Sequence, residues 1–254
     1  MDFLPGAYEF SELAFVGVGE YICAELGESG PIIYKEEEVD AFAHLSVLYL
    51  IADGESLGDL SLLDRVLDRC KARVVSVIVV NSQRPELLMA MRHKFSCAYC
   101  FGREDDPSDR LKRLCGFLRH MNTSEQLLEL DEAELRGIFD GARLIEQVTL
   151  SCRADGAFSG SSGGLAGLGA DTSGALICVF ASEKERDSDK LYRLIEQLMT
   201  LISAERHRAL VWNIYRSPEV REGSLRLDIL RTKPARNLEP PRTMENLRAA
   251  NQPN

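Results

Sequence analysis

The sequence predicts an α/β protein, with a parallel sheet and crossover helices in its first half, a central helix, and a smaller α+β second half. Three observations lead there. Up to residue 121, short β-branched runs alternate with stretches of helical apolar spacing, the pattern of parallel strands joined by crossover helices. After residue 140, longer strand-like runs succeed one another around one strongly amphipathic helix. The 254-residue chain is 45% apolar, 28% charged and 7% aromatic, which excludes wholesale disorder, a collagen-like chain and a membrane bundle.

The elements follow in order. Glu12–Gly19 is apolar and ends in glycines, as a buried strand does. Glu20–Leu26 reads as a short helix, and Pro31–Glu38 as an edge strand running into acids. Leu45–Ala52 is a buried strand, Asp53–Asp59 a turn with Ser56 as an N-cap, and Leu60–Arg73 a helix by its apolar spacing. Val74–Val80 is a β-branched strand, Pro85–Phe95 a helix and Cys97–Phe101 a short strand. After the breaker Asp105-Asp106-Pro107, Asp109–Met121 forms an amphipathic helix. Asp131–Phe139 starts a further helix and Leu144–Cys152 a strand. Asp155–Gly174, rich in glycine and serine, is a loop. Gly174–Ala181 is a strand, Asp189–Ser203 an amphipathic helix, and Arg208–Tyr215 and Ser224–Thr232 are strands. The expected organisation is a first domain over 1–121, a second over 122–235 and a disordered, proline-containing tail over 236–254.

Charge is unevenly placed. Residues 1–58 hold twelve acids and one base, Lys35, so they carry the whole of the net −10 and one charge more. Such a segment repels phosphate, which argues against a nucleic acid partner. The longest apolar run, Leu45–Ala52, is far short of the ~20 residues a membrane span needs. Met1–Phe10 has no basic region, so neither a signal peptide nor a transmembrane segment is expected, and the seven cysteines read as reduced core thiols of a cytoplasmic protein.

The order of elements resembles the FtsZ/tubulin superfamily, and the second half carries the resemblance best. Asp171-Thr-Ser-Gly174-Ala-Leu-Ile-Cys-Val-Phe-Ala opens a strand on a small-residue–glycine pair as FtsZ does. The helix Asp189–Ser203, then Ala209-Leu-Val-Trp-Asn-Ile, and Leu225-Arg-Leu-Asp-Ile-Leu-Arg-Thr232 follow in the family's order. Upstream, the segment Gln126–Phe139 is similar to the family's synergy loop and its helix, with Glu129, Asp131 and Glu134 at the polar positions. The resemblance implies that Asp131 and Glu134 would be the catalytic acids offered to a neighbouring subunit's nucleotide, and that Glu129, Asp131, Glu134 and Arg136 would form a contact surface. Read from the residues alone, acids at a helix start also simply favour its dipole.

The first half departs from the family at the phosphate loops. Where FtsZ has a long glycine run, Asp53-Gly54-Glu55-Ser56-Leu57-Gly58-Asp59 keeps two glycines and adds three carboxylates. The first turn, Val16-Gly17-Val18-Gly19-Glu20, keeps two glycines and then places an acid. At an effective dielectric of ~20, a carboxylate ~4 Å from a phosphate charge is repelled by about 4 kcal/mol. Gly17, Gly19, Gly54, Ser56 and Gly58 are therefore candidate cofactor-binding residues in degenerate loops, with a Mg²⁺ ion on Asp53 or Asp59 as the way to retain a nucleotide.

Other patterns carry less. Cys97-Ala-Tyr-Cys100 falls on a strand, where positions three apart face opposite sides, and no second pair completes a zinc site. The histidines 44, 93, 120 and 207 show no metal spacing, and no metal site is expected. The expectation is a prokaryotic FtsZ-like pseudo-GTPase without cofactor, acting by contact with a relative or with itself. The alternatives are an active Mg²⁺-dependent GTPase, binding GTP or GDP and forming filaments, and an unrelated small-molecule enzyme on a doubly wound sheet.

Overall fold

The computed structural model describes residues 13–19, 31–82, 85–101, 107–123, 125–126, 132–139, 144–153, 158–159, 174–184, 192–193, 196 and 209–233. The first half contributes the strands β1 (Leu13–Val18), β2 (Ile32–Ile33), β3 (Val47–Asp53), β4 (Val74–Val80) and β5 (Cys97–Cys100). They pair in parallel in the order β2-β1-β3-β4-β5. Between them lie the helices α1 (Leu57–Arg69) and α2 (Pro85–Met91), and α3 (Pro107–Thr123) follows β5. Alternation along β3 fixes both faces: Leu48, Leu50 and Ala52 pack with α1 and α2, and Tyr49 and Ile51 pack with α3. The sheet is thus covered on each side, as a parallel sheet requires.

The second half contributes β6 (Glu125–Gln126), β7 (Leu144–Arg153), β8 (Phe158–Ser159), β9 (Gly174–Ser182), β10 (Ala209–Ser217) and β11 (Ser224–Lys233), with α4 (Glu132–Phe139). Here the order is β7-β11-β9-β10-β6, with β8 against β7. β11 runs antiparallel to both β7 and β9, while β9 and β10 are parallel. The two halves meet edge to edge, where Cys100 of β5 pairs with Leu144 of β7. One apolar core crosses this seam, joining Phe15, Tyr49 and Tyr99 to Phe139, Leu176, Phe180 and Tyr215. Leu111, Leu114, Phe117, Leu118 and Met121 place the length of α3 along it.

Several local expectations change. The strand expected over Pro31–Glu38 stops at Ile33, and the acids form a 3-10 turn over Glu36–Phe42. The cause is local: the Glu38 carboxylate accepts from the backbone N–H of Tyr34 at 2.7 Å and of Lys35 at 3.3 Å, which turns the chain out of the sheet. α1 begins at Leu57 rather than Leu60, because Ser56 caps it directly, its Oγ accepting from Asp59 N at 3.2 Å. The Asp155–Gly174 stretch, expected as loop, contributes the short strand β8. The expected helix over Glu20–Leu26 lies outside the described residues, as does most of Asp189–Ser203, of which Tyr192, Arg193 and Glu196 are helical. The tail over 236–254 also lies outside them.

Candidate functional site

Among the described residues the strand order of the parallel sheet reverses at one point. From β1 the chain goes out to β2 on one side and returns to β3 on the other. The direction of winding therefore reverses between β1 and β3, and the carboxyl ends of such a strand pair are where open α/β sheets bind ligands. Gly19 follows β1 at this point, and Gly54, Glu55 and Ser56 follow β3 into the start of α1. The two candidate phosphate loops are thus brought together by topology.

Their geometry assigns each residue a different role. Gly17 lies within β1, paired with Ile32 and Ile51. Gly19 has φ +93°, a backbone conformation that favours glycine, and a Cβ built there would collide with the carboxylate of Asp59. Asp59 on α1 therefore lies directly over the Gly19 backbone. Gly54 is glycine for a structural reason. Its N–H donates to Val80 O at 2.7 Å, and a Cβ would lie 2.8 Å from Ser82 Cα. Gly58 is exposed at the first turn of α1, and a Cβ there would meet only Ser56 Oγ, at 3.7 Å. Ser56 uses its hydroxyl on an amide of that same turn, one of the N–H groups a bound anion would otherwise take.

Asp53 is only 6% exposed at the end of β3. Its Oδ1 accepts from Glu55 N at 3.0 Å and from Asn81 Nδ2 at 3.4 Å. Asn81 follows β4 with φ +53°, a conformation asparagine adopts more readily than most side chains. Asn81 and the buried Ser82 belong to the crevice and were not among the sequence candidates. An asparagine ending a β-branched run is a visible turn signal, but only the strand order places it beside Asp53.

A phosphate entering between β1 and α1 would meet the Asp59 carboxylate where close backbone approach is needed. The residues at Gly19 do not fit that group. Among the described residues no group of three or more His, Cys, Asp or Glu is placed to hold a metal ion, and no helix is long and apolar enough to cross a membrane.

The second set of candidates sits elsewhere. Glu134 and Arg136 lie on α4, which packs against β5, β9 and β10. Leu135, Ile138 and Phe139 of α4 contribute to the core on the face opposite α1. Glu129 and Asp131 lie outside the described residues. Cys97 and Cys100 contribute to the two opposite cores of the sheet, so they do not form a thiol pair, and burial pushes the Cys100 thiol up to about 12.

No family model and no curated protein matches the chain. Solved structures do match. An empty FtsZ dimer from M. jannaschii aligns with a TM-score of 0.52 at 11% identity, over 90% of each chain. A point mutant of M. jannaschii FtsZ aligns at 0.50 and 10% identity, over 88% of this chain and 91% of that one. GDP-bound CetZ1 from Haloferax volcanii aligns at 0.49 and 10% identity, over 87% of this chain and 93% of that one. The two FtsZ matches, spanning both halves in one alignment, agree with the strand order and the central helix: the chain has an FtsZ/tubulin-like fold.

Proposed function

We propose that this FtsZ-like chain is a pseudo-GTPase that works by protein–protein contact, binding, capping or scaffolding filaments of a relative or of itself. The observation that supports it is the Asp59 carboxylate lying on Gly19, where a phosphate cradle needs open backbone. A negative group there opposes a nucleotide twice, by occupying the space and by repelling the charge. The contact surface would be the start of α4, with Glu129, Asp131, Glu134 and Arg136, the segment whose family counterpart faces the next subunit. That the matched structures include an FtsZ dimer is consistent with association of like subunits.

The test is GTP and GDP binding, with and without Mg²⁺, together with phosphate release. The reading expects no measurable turnover. Steady phosphate release that disappears in Asp131→Ala would replace it with the competing reading, a Mg²⁺-dependent GTPase. Charge reversal at Asp131 and Glu134 is expected to weaken co-sedimentation with a relative's filaments while leaving the melting temperature in place.

A further inference from the structure

The end of α3 meets the second-half sheet through an unusual polar cluster. His120, 14% exposed at its side chain, sets its ring edge-on to Phe180 of β9 at a centroid distance of 4.5 Å. The guanidinium of Arg226 on β11 lies over the same Phe180 ring at 4.5 Å. Arg226 Nε is 3.1 Å from Asp228 Oδ2, and Asp228 Oδ1 accepts from Thr149 Oγ1 of β7 at 2.6 Å. Glu219, in the turn between β10 and β11, reaches toward both side chains, 3.9 Å from His120 Nδ1 and 3.6 Å from Arg226 Nη1. His120 thus packs on Phe180 of β9 and lies beside the charged groups of β11 and of the turn before it.

The cluster favours a neutral imidazole over a charged one. His120 Nε2 is buried and has no hydrogen-bond partner. In the neutral ring protonated on Nδ1 that nitrogen carries a lone pair, whereas the imidazolium would place an N–H donor there with nothing to accept it. A second cation would also stand beside the same aromatic ring as Arg226. We propose that this junction is a proton-operated latch: with His120 neutral it holds α3 to β9 and β11, and on protonation it loosens.

The sign follows from the environment. Burial, then Arg226, holds the imidazole below its ordinary 6.5, with Glu219 and Asp228 pulling the other way. The folded state therefore takes up the proton less readily than the unfolded chain. Stability from this site is complete above 6.5 and is lost as the pH falls through 6.5 toward the folded value. Asp228 acts in the opposite sense: burial raises its carboxyl above 3.8, so acid relieves its buried charge. Cys178 and Tyr215, behind Phe180, are pushed up by burial and do not titrate in this window.

The experiment follows the histidine ring resonance and the urea midpoint of the full chain between about pH 8 and pH 5.5, with Trp212 emission as reporter. Trp212 is the sole tryptophan and lies on β10. The wild-type midpoint is expected to fall below pH 6.5, and His120→Gln is expected to lose this dependence. Glu219→Gln, which removes an exposed carboxylate that favours the imidazolium, is expected to move the His120 titration further down. A His120 resonance titrating at or above 6.5 would overturn the proposal. So would a His120→Gln protein with the wild-type pH response, or an upward shift in Glu219→Gln. The ring titrations of wild type and Glu219→Gln decide the matter even if His120→Gln does not fold.

Discussion

Removing the Asp59 side chain beyond Cβ is the most direct probe of the crevice, because one carboxylate lies over the Gly19 backbone. A phosphate charge seated there would lie about 4 Å from that carboxylate, a repulsion of about 4 kcal/mol at an effective dielectric of ~20. Asp59 is half-buried, so water screens part of this, and about 1.4 kcal/mol is a conservative floor, equivalent to about tenfold in Kd. Asp59→Ala should therefore bind GDP or GTP between about tenfold and about a thousandfold more tightly than the unchanged protein. An acid in the first turn of a helix contributes about 0.3–1 kcal/mol through the dipole, and the Ser56 cap on the same amide remains in the variant. A titration with a fluorescent guanine nucleotide, with Mg²⁺ and with EDTA, reads the effect. An unchanged Kd in the variant, or tight cation-independent binding by the unchanged protein, refutes the reasoning.

Other consequences can be checked on the same protein. Gly54→Ala drives a methyl group against Ser82 Cα and Val80 O, and should lower stability by about 1–3 kcal/mol in urea denaturation; an unchanged midpoint would contradict the close approach of β3 and β4. Ser56→Ala should cost about 1 kcal/mol through the lost cap on α1, whereas Ser56→Asp should retain most of it, as read by thermal unfolding. Self-stacking into long homopolymers should be poor at neutral pH without divalent cations, because acids stand both at the crevice and around the start of α4. Sedimentable filaments in EDTA at low salt would count against that.

What the sequence reveals here is what short-range chemistry controls. The β-branched run Val74–Val80 becomes β4 with the same bounds, and Ser56 is legible as a cap because its hydroxyl acts within one turn. The start of α1 is less legible, since its first turn, Leu57-Gly58-Asp59, is not buried and carries no apolar stripe. The 3-10 turn over Glu36–Phe42 escapes a reading based on hydropathy because a single carboxylate, that of Glu38, redirects the backbone. At the site, glycine content and charge single out the two loops, yet their meeting depends on strand order. Gly19 and Asp59 are far apart in sequence, and no local pattern states that one covers the other. Gly54 illustrates the converse: it reads as a phosphate-loop glycine, but the neighbouring backbone of Val80 and Ser82 explains it.

The seam between β5 and β7 has a mechanical consequence. Among the described residues the two sheet halves pair there only at Cys100 and Leu144, while the apolar core runs across without interruption. Hydrogen bonds are directional and break when strands slide, whereas apolar contact is non-directional and survives small displacements. A load along the strands would therefore be carried across this seam by side-chain packing rather than by a backbone ladder. Tyr99 and Phe139, 4.9 Å apart between ring centroids, are among the side chains through which such a load would pass.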